Sequence, residues 1–266
     1  MDSEARAGGP RTAWPLALVT ALAIFPRLYA ALHNGIGYDG YWHIFIARNL
    51  TREYRELAHP PLFPLLLKVS DAVSHSRLAY EAVSLLAGVA AVFLVGRILE
   101  KLRTNAAVPV LGALAMAFSA GAIGISRLVE SYALCVFFVL AAFLSYLDLV
   151  RRGPAAVPQG SRMAFAGFMS LALLSHYFAA LFFAASLAAP LLVAILRPGY
   201  RRVLVRALPD RGLADLATVL PPVAVGAILY WSLASPFVRR LKHLPDFFFQ
   251  STAETVPAFL LRNLSN

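Results

Sequence analysis

Apolar stretches of about 20 residues recur along this chain, and this pattern limits its fold more than any other feature, because a helix of that length crosses the hydrocarbon core of a bilayer. The residues are 59% hydrophobic and only 14% charged, whereas a soluble domain carries about 25% charged residues. We therefore predict an all-α fold: a polytopic transmembrane helical bundle in which residues 1–266 form a single integral membrane domain. The seven predicted spans are 12–32, 78–98, 106–124, 132–150, 163–175, 177–196 and 214–233.

Basic residues in the connecting segments indicate how these spans are oriented. Thirteen of the 24 Lys and Arg residues fall in the N-terminal segment and in alternate loops after it, and short loops rich in Lys and Arg stay in the cytoplasm. We therefore predict a cytoplasmic N-terminus, an outer loop between the first two spans, and a location in the plasma (inner) membrane. The net charge of +10 follows from these loops, so the lipid bilayer is the expected partner and nucleic acid is not.

The two ends of the chain and its cysteine content add three expectations. Pro26 and Arg27 interrupt the first apolar run where a signal-cleavage site would lie, so we expect a retained span. The polar and aromatic tail after the last span suggests the N-terminal part of a longer protein. Cys135 is the single cysteine, which excludes a disulfide within the chain.

The first outer loop contains the stretch GYDGYWHIFIARNLTREYRELAHPPLFPLLL, residues 37–67. A helix from Tyr38 to Leu50 would place Asp39 and His43 on one face, and its tyrosine and tryptophan side chains favour the head-group level. Proline suits a first helical turn, so a second short helix is expected after Pro60, with His59 just before it. We predict a pair of interfacial helices with Asp39 near the start of the first.

Other polar residues are also predicted near the outer face. Arg127 and Glu130 lie between the third and fourth spans, where they either serve a site or pair with each other. Arg27 in the outer part of the first span either snorkels or holds an anion. His176 is either a ligand-binding or a structural residue, and a divalent metal ion held by His59, His176 and an acid is left open.

The order of these features resembles that of a known family. An arginine late in the first span, an acid in a long first outer loop, HPPLFPLLL closing that loop, then SRLVESYAL and LLSHYFAALFF, are similar to GT-C-fold membrane glycosyltransferases. The branch concerned is related to dolichyl-phosphate-mannose–protein mannosyltransferases and lipid A aminoarabinose transferases. The resemblance covers the chain from Arg27 to the end of the sixth predicted span, and the chain would be the N-terminal part of such a catalytic module.

The resemblance implies roles for individual residues. Asp39 corresponds to the first-loop acid, proposed in the family as the catalytic base or as a group that orients the acceptor, and Glu130 corresponds to a second outer acid. Many members carry an Asp-Glu pair where this chain has Asp39-Gly40. The implied substrate-binding residues are Arg27, His43, His59, Arg127, His176 and Tyr177.

The expected function is a glycosyltransferase that moves a sugar from a polyprenyl-phosphate-linked donor to an extracytoplasmic acceptor, which is a glycan, lipid or protein of the cell envelope. Such a donor is already activated, and the sequence contains no nucleotide-binding glycine motif. One alternative is a transporter or flippase, which predicts charged residues deep within spans and discontinuous helices. Others are an inactive truncated homologue and a structural subunit, neither of which requires Asp39.

Overall fold

The computed structural model describes residues 13–50, 60–102, 105–151, 158–196 and 218–229, and within these ranges the chain is helical and contains no β-strand. The all-α prediction is therefore confirmed for the described residues. The helices are α1 Ala13–Leu22, α2 Ile24–His33, α3 Tyr38–Arg48, α4 Leu62–Val73, α5 Arg77–Lys101, α6 Ala107–Phe118, α7 Ala120–Arg127, α8 Tyr132–Arg151, α9 Gln159–Ser175, α10 Ala179–Leu196 and α11 Thr218–Leu229.

Three helical segments are long and apolar enough to cross a membrane: Ala13–His33, Arg77–Lys101 and Tyr132–Val150. They coincide with the first, second and fourth predicted spans. The third predicted span is a bent pair, α6 and α7, whose axes differ by 56°; counted as one span, this pair makes four. The remaining predicted spans coincide with α9, α10 and α11, where the apolar stretches in the described residues are shorter.

Helix α5 is the centre of the described bundle. It packs against α1, α4, α6, α7 and α8, and α8 in turn packs against α9. Close approach to α7 depends on Gly88, because a β-carbon there would overlap the hydroxyl oxygen of Ser126. Small residues at helix crossings are typical of membrane bundles, in which packing replaces the hydrophobic effect between helices.

Both short helices predicted within residues 37–67 are present. Helix α3 begins at Tyr38, with Asp39 in its first turn, and α4 begins at Leu62 directly after Pro61. The two helices pack on one another through a core that includes Ile44, Ala47, Phe63 and Leu67. The same core includes Tyr80 of α5, Val129 of the segment between α7 and α8, and Ala133 of α8.

Candidate functional site

Helix α3 approaches the segment between α7 and α8 at Gly40. A β-carbon at this position would lie 3.2 Å from the β-carbon of Val129 and 2.7 Å from a methyl carbon of Ile36. A larger residue at position 40 would therefore have to displace the neighbouring segment. The contact brings Asp39, which precedes Gly40, towards Glu130, which follows Val129.

Two acids from separate parts of the chain are brought within electrostatic range of each other by this contact. Asp39 is exposed on α3, whereas Glu130 is partly buried. Burial raises the pKa of the Glu130 carboxyl, and the negative charge of Asp39 raises it further. At a given pH, Glu130 is thus more readily protonated than an ordinary glutamate, which is how two neighbouring carboxyls acquire different roles in acid–base chemistry.

A third acid, Glu81, was not predicted from the sequence. It lies in the second turn of α5, its side chain is 2% exposed, and its Oε1 accepts a hydrogen bond of 2.9 Å from Nε of Arg77. Arg127 at the end of α7 also acts electrostatically on the Glu81 carboxyl. Within the described residues, Arg127 forms no ion pair with Glu130, so the simple pairing considered from the sequence does not occur there.

Ser84 fixes Glu130 relative to α5. Its hydroxyl donates a hydrogen bond of 3.0 Å to the backbone carbonyl of Glu130, and the Ser84 side chain is fully buried. Since Glu81 and Ser84 are three residues apart, they lie on the same face of α5. The Glu81 carboxyl therefore faces the segment that carries Glu130.

The two described histidines of the predicted site are both packed among aromatic rings. His43 is 2% exposed and packs edge-on against Phe63, with ring centroids 5.3 Å apart. His176 lies 5.0 Å from the ring of Tyr132, and its Nδ1 accepts a hydrogen bond from the Phe178 amide. Tyr132 follows Glu130 by two residues, so His176 lies at the same end of the bundle.

Tyr177 and His59 complete the predicted set. Tyr177 is partly buried against the apolar core formed by α8, α9 and α10. His59 lies outside the described residues, so its relation to the acids stays a prediction. Among the described residues, no group of three or more His, Cys, Asp or Glu side chains is arranged to hold a metal ion.

Arg27 is fully buried, and its guanidinium binds backbone carbonyl groups. It donates to the carbonyl of Ala117 over 2.8 Å, of Met116 over 3.2 Å and of Ala23 over 3.1 Å, and its Nε donates to the Ser126 hydroxyl over 3.2 Å. The last carbonyls of a helix have no partner within that helix. Arg27 therefore caps α6 where the bent pair breaks and joins it to α7.

A second polar cluster joins the ends of α3, α4 and α5. Asp71 accepts hydrogen bonds from Arg48 over 3.0 Å and from the Tyr80 hydroxyl, and His75 lies 2.9 Å from it. The Tyr80 hydroxyl is the largest cause that lowers the pKa of Asp71, to about 2. This cluster holds α3 and α4 against α5.

Comparison with known proteins adds no assignment: no protein-family model and no curated protein matches the sequence. The described structure is that of an all-helical protein in which several helices are able to span a membrane. Charged residues pair at both ends of these helices: Arg77 with Glu81 at one end, and Arg97 with Glu100 and Lys101 with Asp148 at the other.

Proposed function

We propose that this protein is a membrane glycosyltransferase that moves a sugar from a polyprenyl-phosphate-linked donor to an extracytoplasmic acceptor. The observation that carries the proposal is the approach of Asp39 to Glu130 across the Gly40–Val129 contact; Arg127, three residues before Glu130, acts electrostatically on the neighbouring Glu81. Asp39 comes from the start of α3, while Arg127 and Glu130 come from the end of α7 and the turn after it, and both parts of the chain lie towards one end of an apolar bundle. A lipid-linked donor places its head group at this level while its tail stays in the bilayer.

The proposed chemistry needs a base and a cation. A hydroxyl or amine of the acceptor attacks the anomeric carbon, the bond from that carbon to the phosphate oxygen breaks, and polyprenyl phosphate leaves with the bonding electrons. Asp39 is exposed and receives the proton of the acceptor. Arg127 stabilises the negative charge that develops on the phosphate. A single displacement of this kind inverts the configuration at the anomeric carbon.

The proposal includes a membrane topology. In it the chain has seven spans, a cytoplasmic N-terminus and a site on the outer face of the plasma membrane, with α3 and α4 lying in the interface. The exposed aromatic residues Tyr38, Tyr41 and Trp42 on α3 favour such a position, since these side chains prefer the head-group level.

A transporter or flippase is the second candidate, and one observation favours it. The bent pair α6–α7, if it crosses the membrane as one span, is discontinuous, and the buried Arg27 lies beside its break; both features are common in transporters. In this protein, however, the guanidinium of Arg27 is bound to carbonyl groups of the break itself. The arginine thereby stabilises the bend without requiring a transported ligand.

One experiment separates the two candidates. The protein is reconstituted in nanodiscs with a panel of radiolabelled polyprenyl-phosphate sugars and candidate acceptors, and in parallel in sealed vesicles with the same lipids. A transferase releases polyprenyl phosphate and labels the acceptor in nanodiscs, where there is no compartment to transport into. Movement of the lipid across the vesicle membrane without release of polyprenyl phosphate would identify a flippase instead.

A further inference from the structure

The ion pair between Arg77 and Glu81 is only half formed. Side-on pairing of an arginine with a carboxylate makes two parallel hydrogen bonds, one from Nε and one from the neighbouring Nη2. Here Nε donates to Oε1 over 2.9 Å, while Nη2 of Arg77 and Oε2 of Glu81 are both buried and have no hydrogen-bond partner among the described residues. The pair thus presents one donor and one acceptor that its own geometry leaves unused.

Leaving such atoms unsatisfied is costly. A buried polar atom without a partner costs about 1–3 kcal/mol, and more when it belongs to a charged group. The Glu81 side chain is 2% exposed, so bulk solvent does not satisfy it. A bound ligand that supplies one donor to Oε2 and one acceptor to Nη2 would remove both costs.

We infer that Arg77 and Glu81 bind a hydroxyl group of a neutral sugar; this identification of the ligand rests on the proposed function. A hydroxyl donates one hydrogen bond and accepts others, so it satisfies both atoms at once. A phosphate offers only acceptors towards Oε2 and is repelled by the Glu81 charge. An ammonium group offers only donors towards Nη2 and meets the positive charges of Arg77 and Arg127.

The place of this pair on α5 connects it to the site already described. Glu81 lies on the same face as Ser84, whose hydroxyl binds the Glu130 carbonyl. A sugar held at Glu81 therefore lies beside the segment that carries Glu130. Arg77 and Glu81 do not contact the reacting bond in this arrangement, and they determine which sugar is accepted.

The test is a binding measurement that does not require turnover. Wild type, Glu81→Gln and Arg77→Lys are placed in nanodiscs, and their affinities for polyprenyl-phosphate hexoses, pentoses and aminosugars are compared with the affinity for sugar-free polyprenyl phosphate. The ratio of the two affinities is the sugar preference of each variant. Comparing this ratio between variants removes the contributions of the lipid tail and of the phosphate charge to binding. Glu100→Gln is the matched control, because Glu100 pairs with Arg97 at the opposite end of the same helix.

We expect wild type to prefer at least one neutral-sugar lipid over polyprenyl phosphate. Glu81→Gln should reduce this preference about tenfold, the loss expected for one hydrogen bond to a charged group, and Glu100→Gln should leave it unchanged. Arg77→Lys keeps the charge but loses the Nη2 donor, and it should also reduce the preference. It serves as the decisive variant if Glu81→Gln fails to yield monodisperse protein. A donor whose sugar lacks the bound hydroxyl should bind wild type more weakly than the complete donor does, whereas Glu81→Gln should bind both donors equally.

Three outcomes would overturn the inference. They are an undiminished preference in Glu81→Gln and Arg77→Lys, a preference confined to aminosugars, and no preference for any sugar in wild type. Failure of the proposed function is recognised separately. In that case sugar binding would depend on Glu81, but no donor in the panel would release polyprenyl phosphate. Conversely, turnover with an unchanged sugar preference in Glu81→Gln would preserve the transferase and exclude this sugar site.

Discussion

Gly40 and Val129 are in such close contact that a β-carbon at position 40 would lie 3.2 Å from the β-carbon of Val129. A larger side chain at position 40 would therefore have to displace the segment that carries Glu130. A glutamate at position 40 would push α3 away from the segment between α7 and α8. Glu130 belongs to that neighbouring segment, so the Gly40–Val129 contact sets its distance from Asp39.

Substituting Gly40 should therefore damage the site more than the fold. We expect Gly40→Ala to shift Asp39 relative to Glu130 and to reduce transfer at least tenfold. Its effect on stability should be about 1 kcal/mol or less, because the overpacking is offset by the better helix propensity of alanine. Gly37→Ala is the matched control, since nothing lies within 4 Å of a β-carbon there. Equal activities of the two variants would show that the Gly40–Val129 contact does not position the acids.

Asp39 should influence the titration of Glu130. Burial is the larger cause that raises the pKa of Glu130, and the charge of Asp39 is the smaller. Asp39→Asn should thus lower the pKa of Glu130 while leaving it above the ordinary value of 4.5. The pH dependence of the carboxyl carbon signal in isotope-labelled protein, assigned with Glu130→Gln, measures the change. An unchanged titration would mean that the two acids do not interact.

The same shift has a consequence for stability. Because the pKa of Glu130 is raised in the folded state, the folded protein holds this proton at pH values where the unfolded chain has lost it. The stabilising contribution is present below about pH 4.5 and is lost as the pH rises through the raised pKa. In Glu130→Gln, the free energy of unfolding should accordingly change less with pH above about pH 4.5 than it does in wild type.

Removing the cap that Arg27 provides should destabilise the bent span. Arg27→Lys leaves a single nitrogen that cannot reach the carbonyls of Ala117 and Met116 and the Ser126 hydroxyl together. We expect a loss of about 2–4 kcal/mol in the free energy of unfolding, since more than one buried acceptor loses its donor. Ser126→Ala removes the bond from Arg27 Nε and the bond that the hydroxyl donates to the Ala122 carbonyl, and it should cost about 1 kcal/mol. Denaturant unfolding in detergent micelles measures the free energy of unfolding of each variant. An equal loss in Arg27→Lys and Ser126→Ala would contradict the capping role.

The Asp71 cluster should protect the packing of α3 and α4 on α5 against acid. Hydrogen bonds from Tyr80, His75 and Arg48 lower the pKa of Asp71 to about 2 from 3.8. Its stabilising contribution is therefore present above about pH 3.8 and is lost as the pH falls through about 2. Tyr80→Phe removes the largest of these hydrogen bonds, so acid-induced loss of structure should begin at a higher pH than in wild type. Tyr29→Phe, at an exposed tyrosine, should leave the acid transition unchanged; a similar shift in both variants would rule out this role.

Much of the helical architecture was predictable because its signals are local. The apolar runs predicted the helices, and Pro61 together with the aromatic pattern of α3 predicted the two short helices of the first outer loop. The bend between α6 and α7 was not predicted, since it depends on Ser119 capping α7 and on Arg27 capping α6 from a distant part of the chain. No periodicity in residues 106–124 indicates these partners.

The site was predicted less completely for the same physical reason. Asp39 and Glu130 were selected individually, but their proximity depends on the Gly40–Val129 contact, which involves residues 89 positions apart. Glu81 was missed because it falls inside a predicted span and was counted as part of an apolar run. The sequence did contain a signal: an acid four residues after Arg77, within a membrane helix, is costly unless it is paired.

The most direct test of the central claim is the rate of polyprenyl-phosphate release in nanodiscs, measured for wild type, Asp39→Asn and Glu100→Gln with a donor that wild type turns over. Donor affinity is measured on the same samples. The account predicts that Asp39→Asn lowers kcat at least a hundredfold, the contribution typical of a general base, with donor binding retained, while Glu100→Gln behaves as wild type. Full turnover by Asp39→Asn would contradict the assignment of the base, and the absence of release from every donor by wild type would contradict the transferase itself.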